Sequence, residues 1–269
     1  MTSSPLTLTR ELRFGLHAQA DDLSSNQMNG FAGHPPLLGL APFLTLTAAV
    51  TGTPDPTTGM LLNIRQIDDV LRTQAVPQLR ALYFANPSAR IFPAPLLIQL
   101  ATELAPHLTP GRLCRLTLAL SPYLSLTVDT KEPAMIQLSQ RFEFSAAHRL
   151  HNPAFSPADN QSTFGKCNNP HGHGHNYELE VTVAGTPDPH TGQVIPIDRL
   201  QDIVNTRVIL QLDHKHLNLD CPEFAHLIPT VENIARVIYD KLAGAFAPAR
   251  LRKVRVWETP KTSCEYPGD

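Results

Sequence analysis

Two segments of this chain are almost the same, and they lie 133 residues apart. Residues 51–59 read TGTPDPTTG and residues 184–192 read AGTPDPHTG, with seven identities in nine positions. The correspondence extends on both sides without gaps, and it places Phe31 opposite Phe164. A long, ordered match of this kind indicates an internal repeat, so the chain is predicted to fold as two copies of one structural unit.

The repeat continues towards the end of each copy. RLCRLTLALSP at 112–122 parallels RLRKVRVWETP at 250–260, at an offset of 138. The joint between the copies is expected in the charged, proline-containing stretch DTKEP at 129–133. We therefore predict two domains, residues 1–133 and residues 134–269.

Both copies show the same succession of hydrophobic patterns. Two segments alternate apolar and polar residues, two have helical spacing, and two alternate again. In the first copy these are 6–14, 44–52, 64–71, 95–108, 112–120 and 121–128; in the second they are 136–144, 177–185, 197–204, 230–242, 252–258 and the tail after Thr262. The order β-β-α-α-β-β predicts an α+β fold in which a four-stranded antiparallel sheet carries two helices on one face.

Composition excludes several classes of protein. Hydrophobic residues make up 42% of the chain and charged residues 17%, a balance that excludes a disordered chain. The net charge of -2 does not indicate nucleic-acid binding. The longest apolar stretch, 37–50, is interrupted by Pro42 and is shorter than the ~20 residues of a membrane span. Because the N-terminus lacks the apolar core of a signal peptide and the four cysteines are irregularly spaced, we expect a cytoplasmic protein with free thiols.

The second copy contains a dense run of histidines. It reads FGKCNNPHGHGHNY at 164–177, so His171, His173 and His175 alternate and would project from one side of an extended backbone. His148, in the strand-like FSAAHRL, is a further candidate ligand. Imidazoles arranged in this way can share a metal ion, for which zinc is the usual choice. The alternative is a histidine-rich loop at the surface.

Five motifs of the second copy occur in an order that resembles a known family. FSAAHRL, FGKCNNPHGHGHNY, LDHKHLN, PTVENIA and VWET are similar to the 6-pyruvoyltetrahydropterin synthase family, and the resemblance covers about residues 138–266. It implies the tunnelling or T-fold, the same β-β-α-α-β-β unit, in which the sheets of a homo-oligomer join edge to edge into a barrel with pterin pockets at the junctions. Two tandem T-fold domains are therefore expected.

The resemblance also implies a zinc site. Its ligands carry over to His148, His173 and His175, and three histidines leave a fourth position open for water or substrate. His171 lies where relatives often have asparagine, so we interpret it as a residue outside the ligand set.

The implied catalytic groups lie in two motifs. Cys167 matches the family's catalytic base, and a thiolate can take a carbon-bound proton. Asp213 and His214 match the pair that works alongside it. The other three cysteines are interpreted as structural.

The implied substrate contacts lie later in the chain. Glu258 matches the carboxylate that anchors the pterin ring by accepting two hydrogen bonds from it. Thr230 and Glu232 could line the pterin pocket, or could cap a helix and occupy its first turn.

The family reaction implied is a lyase reaction of tetrahydrobiopterin biosynthesis. 7,8-Dihydroneopterin triphosphate loses triphosphate while its side chain is oxidised internally and its ring reduced, which agrees with the lack of a GxGxxG fingerprint for a redox cofactor. Five residues separate Cys167 from His173, which favours the 6-pyruvoyl product. The 6-carboxy type, of the deazapurine pathway, usually has three, and His171 meets that spacing as well.

Two alternatives from other classes remain open. One is a hydrolase that uses Cys167, His214 and Asp213. The other is a zinc- or pterin-binding module without activity.

The first copy lacks these groups at the aligned positions. Cys167 falls on His34, His173 on Leu40, His175 on Pro42 and Glu258 on Leu120. The first copy is therefore predicted to be a degenerate, non-catalytic scaffold.

Overall fold

The structure is a computed structural model that describes residues 4–17, 33, 39–85 and 92–268. The described residues form nine strands. These are β1 Leu6–Gly15, β2 Phe43–Gly52, β3 Arg112–Ser121, β4 Leu124–Asp129, β5 Ile136–His148, β6 His173–Gly185, β7 Lys215–His216, β8 Arg250–Thr259 and β9 Thr262–Tyr266. Phe31 and His34, which entered the repeat alignment, lie outside the described residues.

The same parts of the chain form eight α-helices and several shorter turns of helix. The α-helices are α1 Ile64–Val70, α2 Val76–Ala85, α3 Ala94–Leu104, α4 Pro157–Phe164, α5 Ile197–Val204, α6 Leu210–Leu212, α7 Leu217–Asp220 and α8 Val231–Leu242. Two π-helical turns, Leu71–Ala75 and Asn205–Ile209, follow α1 and α5. No helix in the described part of the chain is long and apolar enough to cross a membrane.

The chain divides into two compact units. The first is Met1–Leu138 with Gly185–Val194, and the second is Ser139–Ala184 with Ile195–Asp269. The predicted boundary between residues 133 and 134 lies a few residues before the division within β5, and the assignment of two domains stays a prediction.

The first unit contains the antiparallel strands β1 to β4 in sequence order. Alternation along these strands buries one side of each, because successive side chains point to opposite faces of a sheet. Leu12, Leu46 and Leu116 are fully buried in this way. The helical spacing of α3 buries Leu97 and Leu100.

The second unit repeats this arrangement with β5, β6, β8 and β9, and the short β7 pairs in parallel with β5. Val181, Val254 and Val256 are fully buried on the strands, and Ile234 and Ile238 are fully buried on α8. The predicted α+β class, with antiparallel strands and helices, is confirmed.

Helix α4 was not predicted, because it has no apolar stripe. Ser156 caps it by accepting a hydrogen bond from the Asp159 N–H at 3.1 Å, and Pro157 occupies its first position. Asn160 takes the place of an apolar residue inside it. The Asn160 amide accepts from the Asn152 N–H at 2.8 Å and donates to the Asn152 carbonyl at 2.9 Å. Hydrophobic periodicity cannot reveal a helix held by a buried polar side chain.

Candidate metal centre

Three histidines meet where β5 ends and β6 begins. His148 is the last residue of β5, and His173 and His175 are the first and third residues of β6. One ring nitrogen from each lies within 4.8 Å of the others. The Nε2 atoms of His148 and His173 are 3.0 Å apart. The structure therefore brings together the three predicted ligands, on two strands that adjoin in one sheet.

His148 is oriented by a contact on its far side. Its Nδ1 lies 2.7 Å from the Pro229 carbonyl, which can only accept, so Nδ1 carries the proton and Nε2 offers its lone pair to the cluster. The side chain is fully buried. Burial lowers the pKa of His148 to about 4, because a charged imidazole would lose its hydration. His148 is therefore neutral near pH 7, as a metal ligand must be.

The other two imidazoles also suit a metal ion. Burial, and then the neighbouring His175, lowers the pKa of His173 below its ordinary value. Nδ1 of His173 and Nε2 of His175 are buried and have no hydrogen-bond partner. An unpartnered buried nitrogen is costly unless something binds it, so these residues fit a divalent cation with nitrogen ligands. This group could hold a metal ion.

Glu258 lies beside the histidines. Its Oε1 is 3.4 Å from Nε2 of His148 and 3.7 Å from Nε2 of His175. Strand β8 brings it there, because the neighbouring Trp257 pairs with Glu178 on β6. A carboxylate at this distance adds a negative charge next to the imidazole nitrogens.

Cys167 lies on the 3-10 turn Gly165–Asn168, close in the chain to His173. Its carbonyl accepts a hydrogen bond from the Leu150 N–H at 2.9 Å. Because Leu150 follows His148 by two residues, this bond ties the Cys167 turn to the end of β5. Burial raises the pKa of Tyr177, and the charges of Glu258 and then Cys167 add to the effect, which places both groups near its phenol.

Asp213 and His214 are held against β5. The Ser145 N–H donates to Asp213 Oδ1 at 2.7 Å, and the His214 N–H donates to the Ser145 carbonyl at 2.6 Å. Oδ2 of Asp213 lies 2.8 Å from Nδ1 of His214. The hydrogen bond from Ser145 is the main reason why the pKa of Asp213 is lowered. His214 has a positive φ of 56°, and its side chain is 83% exposed.

The predicted catalytic groups have different contacts near the end of β5. The recorded contacts of Asp213 and His214 run to Ser145 and to each other, whereas the Cys167 turn is tied to Leu150. A direct Cys167–His214 pair of the hydrolase type is not among these contacts. The roles of Cys167, Asp213 and His214 stay predictions.

Thr230 and Glu232 have the positions of a helix cap. Thr230 Oγ1 accepts from the Asn233 N–H at 3.4 Å, and Glu232 lies in the first turn of α8. The cap also fixes the preceding Pro229, whose carbonyl orients His148. Their role in lining a pterin pocket stays a prediction.

The sequence analysis missed the polar residues that support the site. Asn218 accepts from the Arg149 N–H at 2.7 Å and donates to the Arg149 carbonyl at 3.0 Å, so it holds the chain directly after His148. His216 packs against Gly172, where an added Cβ would lie 2.6 Å from its Nε2. Gly172 also has a φ of 73°, so both the close contact with His216 and the backbone conformation favour glycine at this position. Asn218 and His216 lie within the LDHKHLN motif, which was the available signal.

Comparison with known proteins identifies one family. The family model described as 6-pyruvoyl tetrahydropterin synthase matches residues 137–269. The chain is 44% identical over 133 residues to the human protein named 6-pyruvoyl tetrahydrobiopterin synthase, a match that covers 49% of this chain and 92% of the human protein. The Drosophila melanogaster protein of the same name is 46% identical over 132 residues, covering 49% of this chain and 79% of that protein.

Two further similarities are more distant. A Bacillus subtilis (strain 168) protein named 6-carboxy-5,6,7,8-tetrahydropterin synthase is 28% identical over 144 residues, covering 51% of this chain and 88% of that protein. The solved structure of Caenorhabditis elegans 6-pyruvoyl tetrahydropterin synthase has 39% identity and a TM-score of 0.48, and covers 50% of this chain and 96% of that chain.

Proposed function

Because this chain belongs to the 6-pyruvoyl tetrahydropterin synthase family, and is an enzyme of the lyase type found there, we propose that it is a zinc-dependent 6-pyruvoyltetrahydropterin synthase. It would convert 7,8-dihydroneopterin triphosphate to 6-pyruvoyltetrahydropterin with elimination of triphosphate. The observation that carries the proposal is the group of imidazole nitrogens within 4.8 Å of one another on His148, His173 and His175.

Zinc is the ion that this donor set suits best. Three neutral imidazoles make a catalytic type of site that leaves one position open. A zinc ion held there would polarise the side-chain hydroxyls of the substrate and acidify the adjacent C–H groups.

Glu258 would hold the pterin ring. A carboxylate accepts two parallel hydrogen bonds from the 2-amino group and the N3–H edge of a pterin, and such charge-assisted pairs are stronger than neutral ones. Its position 3.4 Å from His148 Nε2 would keep the ring, and therefore the side chain attached to the ring, close to the metal ligands.

Cys167 and the Asp213–His214 pair would move protons. Cys167 as a thiolate would take the carbon-bound proton of the substrate side chain. Asp213, at 2.8 Å from His214 Nδ1, orients that imidazole and leaves its Nε2 to exchange a proton. The exposure of His214 keeps that nitrogen accessible.

The 6-pyruvoyl product is preferred over the 6-carboxy product. The human and Drosophila relatives that carry the 6-pyruvoyl name are 44% and 46% identical, against 28% for the Bacillus subtilis 6-carboxy enzyme. His171, which would provide the shorter spacing from Cys167, is exposed and outside the histidine group. The 6-carboxy product on the same substrate is the second candidate.

The first unit is proposed to be a degenerate T-fold copy that acts as a scaffold. The register shift between Ala49 and Val50 recurs between Thr182 and Val183, and this recurrence supports a tandem duplication. In a closed homo-oligomer the inactive and active sheets would alternate around a barrel. Deletion of residues 1–133 should then expose sheet edges and leave an aggregated or poorly active protein. A deletion product that is monomeric and fully active would contradict the scaffold role.

Product analysis tests the proposed function. Zinc-replete protein is incubated with 7,8-dihydroneopterin triphosphate, and the pterin product is identified by mass. We expect 6-pyruvoyltetrahydropterin and inorganic triphosphate. A 6-carboxy product would establish the second candidate, loss of phosphate from an unrearranged pterin would indicate a hydrolase, and binding without turnover would indicate a binding module.

A further inference from the structure

A cavity of about 640 Å³ in the second unit surrounds part of the turn that carries Cys167. Lys166 and Asn168, on either side of Cys167, both line it. So do Arg149 and His151, which follow the end of β5. Its volume lies in the range of ~300–1,000 Å³ that is usual for small-molecule sites. The cavity therefore adjoins both the proposed catalytic thiol and the segment that follows the metal ligands.

Arg149 is fixed in place at this cavity. Its Nε donates to the Asn168 carbonyl at 3.1 Å and its Nη2 donates to Asn168 Oδ1 at 3.0 Å. The side-chain amide of Asn218 accepts a hydrogen bond from the N–H of Arg149 and donates one to its carbonyl. These contacts use two of the five N–H groups of the guanidinium, so the remaining ones can donate to a ligand without releasing the Cys167 turn.

His151 has a defined hydrogen-bonding role beside it. Its Nδ1 lies 2.9 Å from Asn168 Oδ1, the same atom that accepts from Arg149. Because arginine can only donate, that atom of Asn168 is its oxygen, and Nδ1 of His151 must carry a proton. Nε2 of His151 forms no hydrogen bond with the described residues, so it is free to meet a ligand.

The charge of the cavity wall has one sign. Arg149 and Lys166 are cations, and none of the ten lining residues is a carboxylate. Within the described part of the chain Lys166, which is exposed, forms no ion pair. Two cations without an acidic partner, one of which is the fixed guanidinium of Arg149, suit phosphate oxygens.

We propose that this cavity holds the triphosphate tail of the pterin substrate, with Arg149 and Lys166 as its charged partners. The assignment rests on the proposed function, in which triphosphate is the leaving group. A tail placed here would position the reacting side chain at Cys167, because Lys166 and Asn168 flank that residue. The two cations would also stabilise the negative charge on the departing triphosphate.

The experiment separates tail binding from turnover. Affinity for inorganic tripolyphosphate is measured by titration calorimetry on the full, zinc-loaded chain, and kcat and KM are measured with 7,8-dihydroneopterin triphosphate. Lys166→Met should weaken tripolyphosphate binding and raise KM by about 10-fold each, because the variant loses a charge-assisted hydrogen bond from an exposed side chain. The affinity for 7,8-dihydroneopterin, which has no phosphate, should stay unchanged.

Two matched variants complete the design. Lys131→Met makes the same change at an exposed lysine of the first unit that does not line the cavity, and it should alter neither affinity. Arg149→Lys keeps the positive charge but loses the planar guanidinium, so it should weaken tripolyphosphate binding. It should also lower kcat, because the two hydrogen bonds from Arg149 to Asn168 that hold the Cys167 turn are lost.

The outcomes distinguish the two proposals. Unchanged tripolyphosphate affinity in both Lys166→Met and Arg149→Lys would overturn the tail site. Weaker tripolyphosphate binding with an unchanged KM would also overturn it, because the cavity would then bind a free polyphosphate. Absence of turnover in the unaltered protein would instead overturn the proposed function. Calorimetry still measures tripolyphosphate affinity in that case, because the binding measurement does not depend on turnover.

Discussion

The two units of this chain share their backbone irregularities but differ in what the ends of their strands carry. The register of β2 against β3 shifts between Ala49 and Val50, and the register of β6 against β8 shifts between Thr182 and Val183, which lie 133 residues later. A π-helical turn follows α1 in the first unit and α5 in the second. Register shifts bend a strand and increase its twist, so the two sheets share this local geometry although the three clustered histidines lie in the second unit.

The strand-to-helix loops are equally alike. In the first unit Asp55 Oδ1 accepts from the Thr57 and Thr58 N–H groups at 2.9 and 2.8 Å. In the second copy of the repeat, Asp188 Oδ1 accepts from the N–H groups of His190 and Thr191 at 3.0 and 2.8 Å. These hydrogen bonds lower the pKa of both aspartates. The repeated sequence TPDP is thus explained by a structural role.

The difference lies in strand length. β5 and β6 have 13 residues each, whereas β1 and β2 have 10 each. β6 begins at His173, whereas β2 begins at Phe43, three residues after the aligned Leu40. Pro42 lies directly before β2, and proline has no N–H to donate to a ladder. His173 and His175 therefore occupy an extension at the start of β6 that β2 does not have, whereas His148 ends β5 at the position where Gly15 ends β1.

The largest expected effect comes from removing one of the three histidines. His173→Ala should lose most of the bound metal and reduce turnover by more than about 100-fold, because two imidazoles make a weak site. Elemental analysis and product formation measure the two effects. His171→Ala, the exposed neighbour, should keep both metal and activity. Full metal content in His173→Ala would contradict the assignment of ligands.

A second large effect is expected at the thiol. Cys167→Ala should lower kcat by about 10²–10⁴, the usual contribution of a general base, while metal and substrate still bind. Cys114→Ala, the same change in the first unit, should leave kcat unchanged. If Cys167→Ala loses its metal together with its activity, the thiol is a ligand and the proposed mechanism is wrong.

Glu258 should affect binding more than chemistry. Glu258→Gln keeps the shape but loses the charge, and we expect KM to rise roughly 10-fold, as charged hydrogen bonds contribute roughly 1.5–3 kcal/mol. Glu265→Gln on β9, whose carboxylate pairs with Lys253, serves as the control. An unchanged KM in Glu258→Gln would remove it from the anchoring role.

Acidification should destabilise the metal-free second unit. The pKa of His148 is about 4 in the folded chain, below the ordinary value of 6.5, so the unfolded chain binds the proton more tightly. This contribution to stability is present above pH ~6.5 and is lost as the pH falls towards 4. Trp257 is the one tryptophan of the chain, so its fluorescence during denaturation reports on the second unit. A midpoint independent of pH across this window would contradict the burial of a neutral His148.

The smallest effect concerns the shared loops. Asp188→Ala removes the loop hydrogen bonds of the second copy, in the segment that joins β6 to α5, and should lower the denaturation midpoint reported by Trp257 slightly. Asp55→Ala makes the equivalent change in the first unit and should shift that midpoint less. Equal shifts would show that the two units unfold together.

Hydrophobic alternation located the long strands, but it predicted the two strands of the site too short: β5 was expected at 136–144 and lies at Ile136–His148, and β6 was expected at 177–185 and lies at His173–Gly185. Alternation is a local property, so β2 was expected at 44–52 and lies at Phe43–Gly52. It also predicted that His171, His173 and His175 project from one side of an extended backbone, and the structure places His173 and His175 on β6 but His171 before it. The sequence did not reveal that the helix expected at 197–204 continues as a π-helical turn, because such a turn breaks the 3.6-residue period.

The polar network around the site could not be predicted from periodicity either. Arg149, Asn168 and Asn218 meet through hydrogen bonds between segments far apart in the chain. Such contacts depend on the tertiary fold, which brings together polar residues that carry no pattern of their own. The resemblance to the family supplied the roles of Cys167 and Glu258, which the residues alone did not indicate.

The metal content of the zinc-replete chain tests most directly whether one unit carries the site and the other does not. We predict about one zinc per chain, bound by His148, His173 and His175, and lost in His173→Ala. Two zinc ions per chain would show that the first unit also binds metal, and no zinc after zinc-replete expression would show that the histidine group is not a metal centre. Either result would contradict the account.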